Sequence, residues 1–251
     1  MAQLVARAVR DCEVACSSQV APTIKHEHYG LVFLYNEIMI KRPKYDSRLK
    51  VAIAMNLAII FFEIIGFMFA LKNLGWSSFI YYTQDSNALA LIAAVLFICT
   101  AMWRAQGRRN KKLEKVTYML KYIAAVSVTI TFVVVITILS WTTNYGLWRL
   151  LTQNSMLYHH TICPILCIVS FLWCEKYNYQ KKHAWVGISF TIIYAIVTIF
   201  LNLIGELVGP YPFLMVYRQP WWASVLWCVI ILGGAYIFAR LLRFGQKKIQ
   251  R

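Results

Sequence analysis

Thr83, in the stretch YYTQDSN, carries a hydroxyl in a run of polar residues that precedes a long apolar segment. The adjacent imidazoles His159 and His160, in LYHHTICPIL, are the bases that the sequence offers, and the carboxylates Glu63 and Asp85 can also bind or release a proton. Ser86, Asn87, Asn202 and Tyr211 are the neutral polar groups able to support them. An acidic side chain near the centre of a membrane helix costs about 2.5–3.5 kcal/mol, so such groups face the bundle interior, paired or hydrated. Ser86, Asn87 and Asn202 taken singly read as ordinary interhelical hydrogen-bond glue. His159, His160 and Cys163 have a spacing seen among metal ligands but lack an evident fourth ligand, and GxGxxG, Walker, GxSxG and HExxH motifs are absent. Neither a metal nor a cofactor is therefore expected.

The elements that position these groups lie in a membrane. Of 251 residues 60% are apolar and 14% charged, a balance outside that of soluble domains. A spanning helix needs about 20 mostly apolar residues, and segments at about 51–71, 79–103, 122–141, 155–174, 184–205 and 221–238 qualify. The expected fold class is an all-α integral membrane protein, a bundle of six transmembrane helices making one domain over residues 39–251. Nineteen Lys and Arg fall in residues 41–50, 104–115, 175–183 and 240–251, while the alternate loops hold only Lys72, Arg149 and Arg218. Cytoplasmic loops are the basic ones, so both termini are expected in the cytoplasm. The net charge of +16 then reads as topology and contact with anionic lipid head groups, which makes membrane lipids the expected partners and excludes a nucleic-acid role. Seven cysteines, none in the outer loops, predict no disulfide framework.

Residues 1–38 have neither the apolar core of a signal peptide nor a strong amphipathic period. MAQLVARAVRDCEVACSSQVAPTI resembles the conceptual translation of a bacterial tRNA gene. The segment is expected to be a disordered or spurious extension, with Met39 the better start and Cys12, Cys16, His26 and His28 without function.

With this topology Glu63, Thr83, Asp85, Asn87, His159, His160 and Asn202 all fall within roughly 4 to 12 Å of the outer boundary, at about 1.5 Å rise per residue. A shared depth predicts one polar cavity open to the outer side. At 3.6 residues per turn Thr83, Ser86 and Asn87 share a stripe while Asp85 points nearly opposite to Thr83, so the mate of Asp85 is expected to be Glu63, through a shared proton, or a histidine. Pro164 removes the hydrogen-bond partner of the His160 carbonyl, which predicts a kink there. VGPYPFL, with two prolines and a glycine, predicts an irregular loop carrying Tyr211, either a lid over the cavity or an aromatic-anchored turn at head-group level.

YYTQDSN, LYHHTICPIL and VGPYPFLMVYRQPWW, in this order, resemble the motifs of an uncharacterised family of bacterial six-span membrane proteins, over roughly Met39 to the C-terminus. More distantly they are similar to the androgen-induced and androgen-dependent family, which includes threonine hydrolases of fatty acid esters of hydroxy fatty acids. The resemblance implies a bacterial plasma-membrane protein in which Thr83 is the nucleophile and a span-four histidine before the proline is its base. His160 fits that spacing in one family and His159 in the other. Asn87, on the Thr83 face, is the nearest candidate oxyanion donor, and a lipid substrate would arrive sideways from the outer leaflet. Two other readings use the same residues: a proton- or ion-coupled transporter built on Glu63, Asp85 and His160, and a non-catalytic lipid-binding or scaffold protein.

Overall fold

An apolar run long enough to cross a bilayer must satisfy its own backbone N–H and C=O groups, and the helix does so within one segment. The computed structural model, which describes residues 47–250 except Tyr145 and Lys176, is helical with no strand among those residues. Residues 1–38 and the readings placed on Cys12, Cys16, His26, His28 and Met39 lie outside the described residues.

The elements are α1 (Ser47–Leu74), α2 (Tyr82–Ala105), α3 (Lys111–Val134, continuing to Thr142), a short α4 (Leu147–Thr152), α5 (Asn154–Cys174), a short α6 (His183–Gly187), α7 (Ser189–Leu203) and α8 (Trp221–Ile249). Five of them, α1, α2, α3, α5 and α8, are long and apolar enough to cross a membrane. The segment expected at 184–205 is α6 and α7, and α7 spans 15 residues. α3 and α8 run well past the apolar segments that announced them, because apolar composition marks where side chains meet lipid and not where backbone hydrogen bonding stops. The Asn110 side chain caps α3 by accepting from the N–H groups of Lys112 at 3.1 Å and Leu113 at 3.2 Å. α3 is the central helix: 56% of its most apolar window is buried, against 17–39% in the other four. The end of the bundle bearing residues 104–115, 175–183 and the last turns of α8 gathers the Lys and Arg residues, and is called here the basic end.

Aromatic stacking fills the core near the basic end. Tyr122 is fully buried, its ring stacks 5.3 Å from Phe171 and 4.8 Å from Tyr179, and its hydroxyl donates to the Ala239 carbonyl at 2.6 Å, which ties α3 to α8. Beside it a charge is enclosed. Lys121, 5% exposed, donates from Nζ to Asn56 Oδ1 on α1 at 2.7 Å and to Ser170 Oγ on α5 at 3.2 Å. Its Nζ also lies 3.0 Å from Glu175 Oε1, off the direction of a hydrogen bond, and 5.1 Å from the centre of the Phe97 ring on α2. The other Glu175 oxygen accepts from the Tyr179 hydroxyl at 3.1 Å. The backbone carbonyls exposed where α5 ends are taken up by α8: Gln246 Nε2 donates to the carbonyls of Glu175 at 2.7 Å and Tyr177 at 2.9 Å, and Gln250 Nε2 also reaches that of Glu175.

Removing one member of a buried ion pair costs about 3–5 kcal/mol because the other charge stays enclosed, whereas replacing both by apolar groups is often tolerated. Lys121→Met is therefore expected to lower unfolding stability in detergent sharply, and the double variant Lys121→Met with Glu175→Leu to recover much of the loss. Equal losses in the two variants, read by thermal unfolding, would contradict this account.

Candidate functional site

The polar run that begins at Tyr82 is the start of a helix. Gly75–Ile80 is a 3-10 stretch and α2 begins at Tyr82, so residues 82–87 form the first turn and a half, whose leading backbone N–H groups lack helical partners. Several residues of the run serve different neighbours. The Tyr82 hydroxyl pairs with Thr191 Oγ1 on α7 at 2.8 Å, and Ser86 Oγ with Thr131 Oγ1 on α3 at 2.9 Å. Asn87 Nδ2 donates to the Thr83 carbonyl at 2.7 Å and to the His159 carbonyl on α5 at 3.0 Å. Both hydrogens of that amide are thus engaged, one within α2 and one between α2 and α5, so Asn87 has none left for an oxyanion. Asp85 is half-buried, has no side-chain hydrogen bond or ion pair among the described residues, and occupies the first turn of α2, where the positive end of the helix dipole favours a carboxylate.

Thr83 faces the loop after α7. Its N–H donates to the Tyr211 hydroxyl at 3.4 Å, and its Oγ1 lies 3.5 Å from the same oxygen. Tyr211 is buried, its ring stacked 5.2 Å from Phe213, in a loop that turns too tightly for a side chain at Gly209: a Cβ there would lie 2.4 Å from the Leu214 carbonyl oxygen. Asn202 staples this loop, donating to the Leu207 carbonyl at 2.6 Å and accepting from the Val216 N–H at 3.1 Å. It is not among the residues bordering the cavity described below.

In α5 the missing N–H of Pro164 is accommodated by a wide π turn over Leu157–Ile162, directly ahead of the regular helix from Cys163. The turn sends the two histidines to different partners. His160 Nδ1 lies 2.7 Å from the Leu150 carbonyl of α4; a carbonyl only accepts, so Nδ1 carries the proton and a neutral ring keeps its lone pair on Nε2. His159 is fully buried, with Nε2 3.3 Å from Glu63 Oε2 on α1, an approach without hydrogen-bond geometry. The close approach of α5 to α1 here requires Gly66, since a Cβ at that position would lie 2.3 Å from His159 Nε2. Glu63 therefore faces a histidine and not Asp85. Among the described residues no three His, Cys, Asp or Glu groups are placed to hold a metal ion.

Thr83, His159, His160 and Tyr211 border one cavity of about 520 Å³, together with Gln84, Arg149 and residues of the loop ahead of α5. The cavity wall thus brings together a hydroxyl at a helix N-terminus, a second hydroxyl beside it, and an imidazole whose proton is held on Nδ1. No hydrogen bond joins Thr83 to either imidazole. Tyr211 as the hydroxyl next to Thr83, and Gln84, whose buried Oε1 has no partner, were not apparent from spacing, because contacts between residues 128 positions apart leave no local pattern. No family model, curated protein or solved structure matches the chain.

Two substitutions separate packing from electrostatics. Overfilling a tight contact costs about 1–3 kcal/mol, so Gly66→Ala is expected to lower the thermal unfolding temperature clearly, whereas Asp85→Asn removes a dipole interaction worth about 0.3–1 kcal/mol. A larger loss from Asp85→Asn would show that the aspartate has a buried charged partner.

Proposed function

We propose that the protein is a six-span enzyme of the plasma membrane, both termini cytoplasmic, that hydrolyses lipid esters with Thr83 as nucleophile and His160 as general base. In this reading α6 and α7 together make the sixth crossing, and the basic end lies in the cytoplasm by the usual charge bias of loops. One observation carries the proposal: Thr83, Tyr211 and a His160 whose Nδ1 is held by the Leu150 carbonyl border the same cavity. The likeness of YYTQDSN and LYHHTICPIL to the motifs of threonine hydrolases points the same way.

The chemistry runs in two halves. Thr83 Oγ attacks the ester carbonyl while its proton passes to His160 Nε2, directly or through one water. The carbonyl oxygen becomes an oxyanion that the Tyr211 O–H stabilises, the Thr83 N–H having been donated into the Tyr211 oxygen, and the α2 N-terminus adds its positive dipole. The bond to the leaving oxygen then breaks, and that oxygen takes the proton from Nε2 and departs as an alcohol. Water attacks the acyl-threonine, gives a proton to Nε2, and the acid leaves as Thr83 recovers its proton. His159 is a positioning residue in this scheme, fixing the π turn against Glu63.

A proton-coupled transporter is the second reading, favoured by the wholly buried approach of Glu63 and His159. The two readings part on variants. A fluorophosphonate probe is expected to label the wild type and to lose Thr83→Ala and His160→Ala, while Tyr211→Phe slows labelling by about 10²–10³, the usual effect of removing an oxyanion donor. Equal labelling of wild type and Thr83→Ala would end the hydrolase reading. Loss of proteoliposome uptake in Glu63→Gln, with Thr83→Ala unaffected, would establish the transporter instead.

A further inference from the structure

Thr83 and Tyr211 border two cavities, not one. Besides the polar cavity of about 520 Å³, they border a smaller one of about 60 Å³, here called the slot, whose wall is drawn from α3, α7 and α8 and includes Val134, Ala195, Trp227, Cys228, Ile231 and Leu232. Besides Thr83 and Tyr211, the hydroxyls in the slot wall are occupied: Thr131 pairs with Ser86, Thr191 with Tyr82, and Tyr194 donates to the Ile80 carbonyl. What remains is an apolar surface with room for about 4–6 water-sized spheres, at about 10–15 Å³ each, enough for one chain segment and not for two side by side. On the other face of Thr83, the buried Gln84 Oε1 lacks a hydrogen-bond donor and borders the polar cavity. An unsatisfied buried acceptor costs free energy until a donor reaches it.

We propose that the substrate is a single-chain amphiphile whose acyl chain occupies the α3–α7–α8 slot while its hydroxyl- or amine-bearing head fills the polar cavity and donates to Gln84 Oε1. This rests on the hydrolase reading for the step itself and refines its substrate class. An ester with its carbonyl at Thr83 Oγ can place one side in each cavity, because Thr83, Tyr211 and Leu139 border both. Burial of methylenes holds the acyl side in the slot. The acyl-threonine formed by attack keeps its chain there, and the alcohol leaves through the wider polar side. A lipid with two chains on adjacent carbons has no place for the second.

Cys228 reports on the slot directly, and Cys99, exposed on the surface of α2, is an internal control. The full chain in lipid nanodiscs is treated with N-ethylmaleimide with and without dodecyl glyceryl ether, a single-chain analogue that cannot be hydrolysed, and both cysteines are followed by peptide mass spectrometry. Cys228 alkylation is expected to slow about tenfold when the ether is present at about ten times its Kd, since the vacant fraction falls as 1/(1 + [L]/Kd). Cys99 should be unchanged, and didodecyl glyceryl ether should not protect. In parallel, Ala195→Leu and Cys228→Leu, which fill the slot, should lower hydrolysis of long-chain p-nitrophenyl esters about tenfold relative to short-chain ones, the effect of a few methylenes in an apolar pocket. Hydrolysis with Cys228 unprotected and chain-length preference unmoved in both variants would overturn the slot and leave the hydrolase. Protection of Cys228 without any hydrolysis would uphold single-chain binding and remove the hydrolase.

Discussion

Lys121 is the charge around which the bundle is arranged. Inside a membrane an ammonium must find all of its partners in the protein, and this one draws them from three neighbouring helices and the residue after one of them: Asn56 from α1, Ser170 from α5, Glu175 beyond α5 and the Phe97 ring from α2. Four helices are held in register at that level. The irregular backbone is found at the other end, where α3 widens over Val135–Leu139 and α5 over Leu157–Ile162. The cavity sits between these two wide turns, where neighbouring helices need not run parallel to each other.

At the cavity, polar residues divide between those that hold helices together and those that face open space. Ser86 and Asn87 belong to the first kind: both are fully buried, and their donors go to protein acceptors. Thr83, Gln84, His160 and Tyr211 belong to the second. This division follows from where α2 starts. Because Tyr82 opens the helix, the N–H of Thr83 is free of the backbone ladder and can engage the Tyr211 hydroxyl, so α2 and the loop after α7 are linked by a group that a helix interior would have consumed.

The apolar runs of the sequence carried the helices, since 20-residue stretches without charge have few other uses, and the shared depth of Thr83, His159 and His160 carried their convergence on one cavity. Helix ends were less legible. Lys121 escaped notice because it falls ten residues into α3, ahead of the apolar run, where it reads as one more basic residue of a cytoplasmic loop. Asp85 drew an expectation of a partner because α2 was placed three residues too early; from Phe79 it lies in the helix interior, and from Tyr82 in the first turn. The separate fates of the two histidines depend on the π turn, a change in backbone pitch that a one-dimensional pattern of 3.6 residues does not express. Gly66 has the same character, since its reason is an imidazole 93 positions away.

The glutamines of α8 that cap α5 have a consequence for the way the chain is made. Synthesis delivers the chain from its N-terminus, and Gln246 and Gln250 lie 71 and 75 positions after the Glu175 carbonyl that they bind. While α6 and α7 are being made, the Glu175 carbonyl at the exit of α5 lacks these two donors. The elements before α8 therefore wait with one open corner, and the arrival of α8 closes it, in the manner of a clasp fastened after the strap has been threaded.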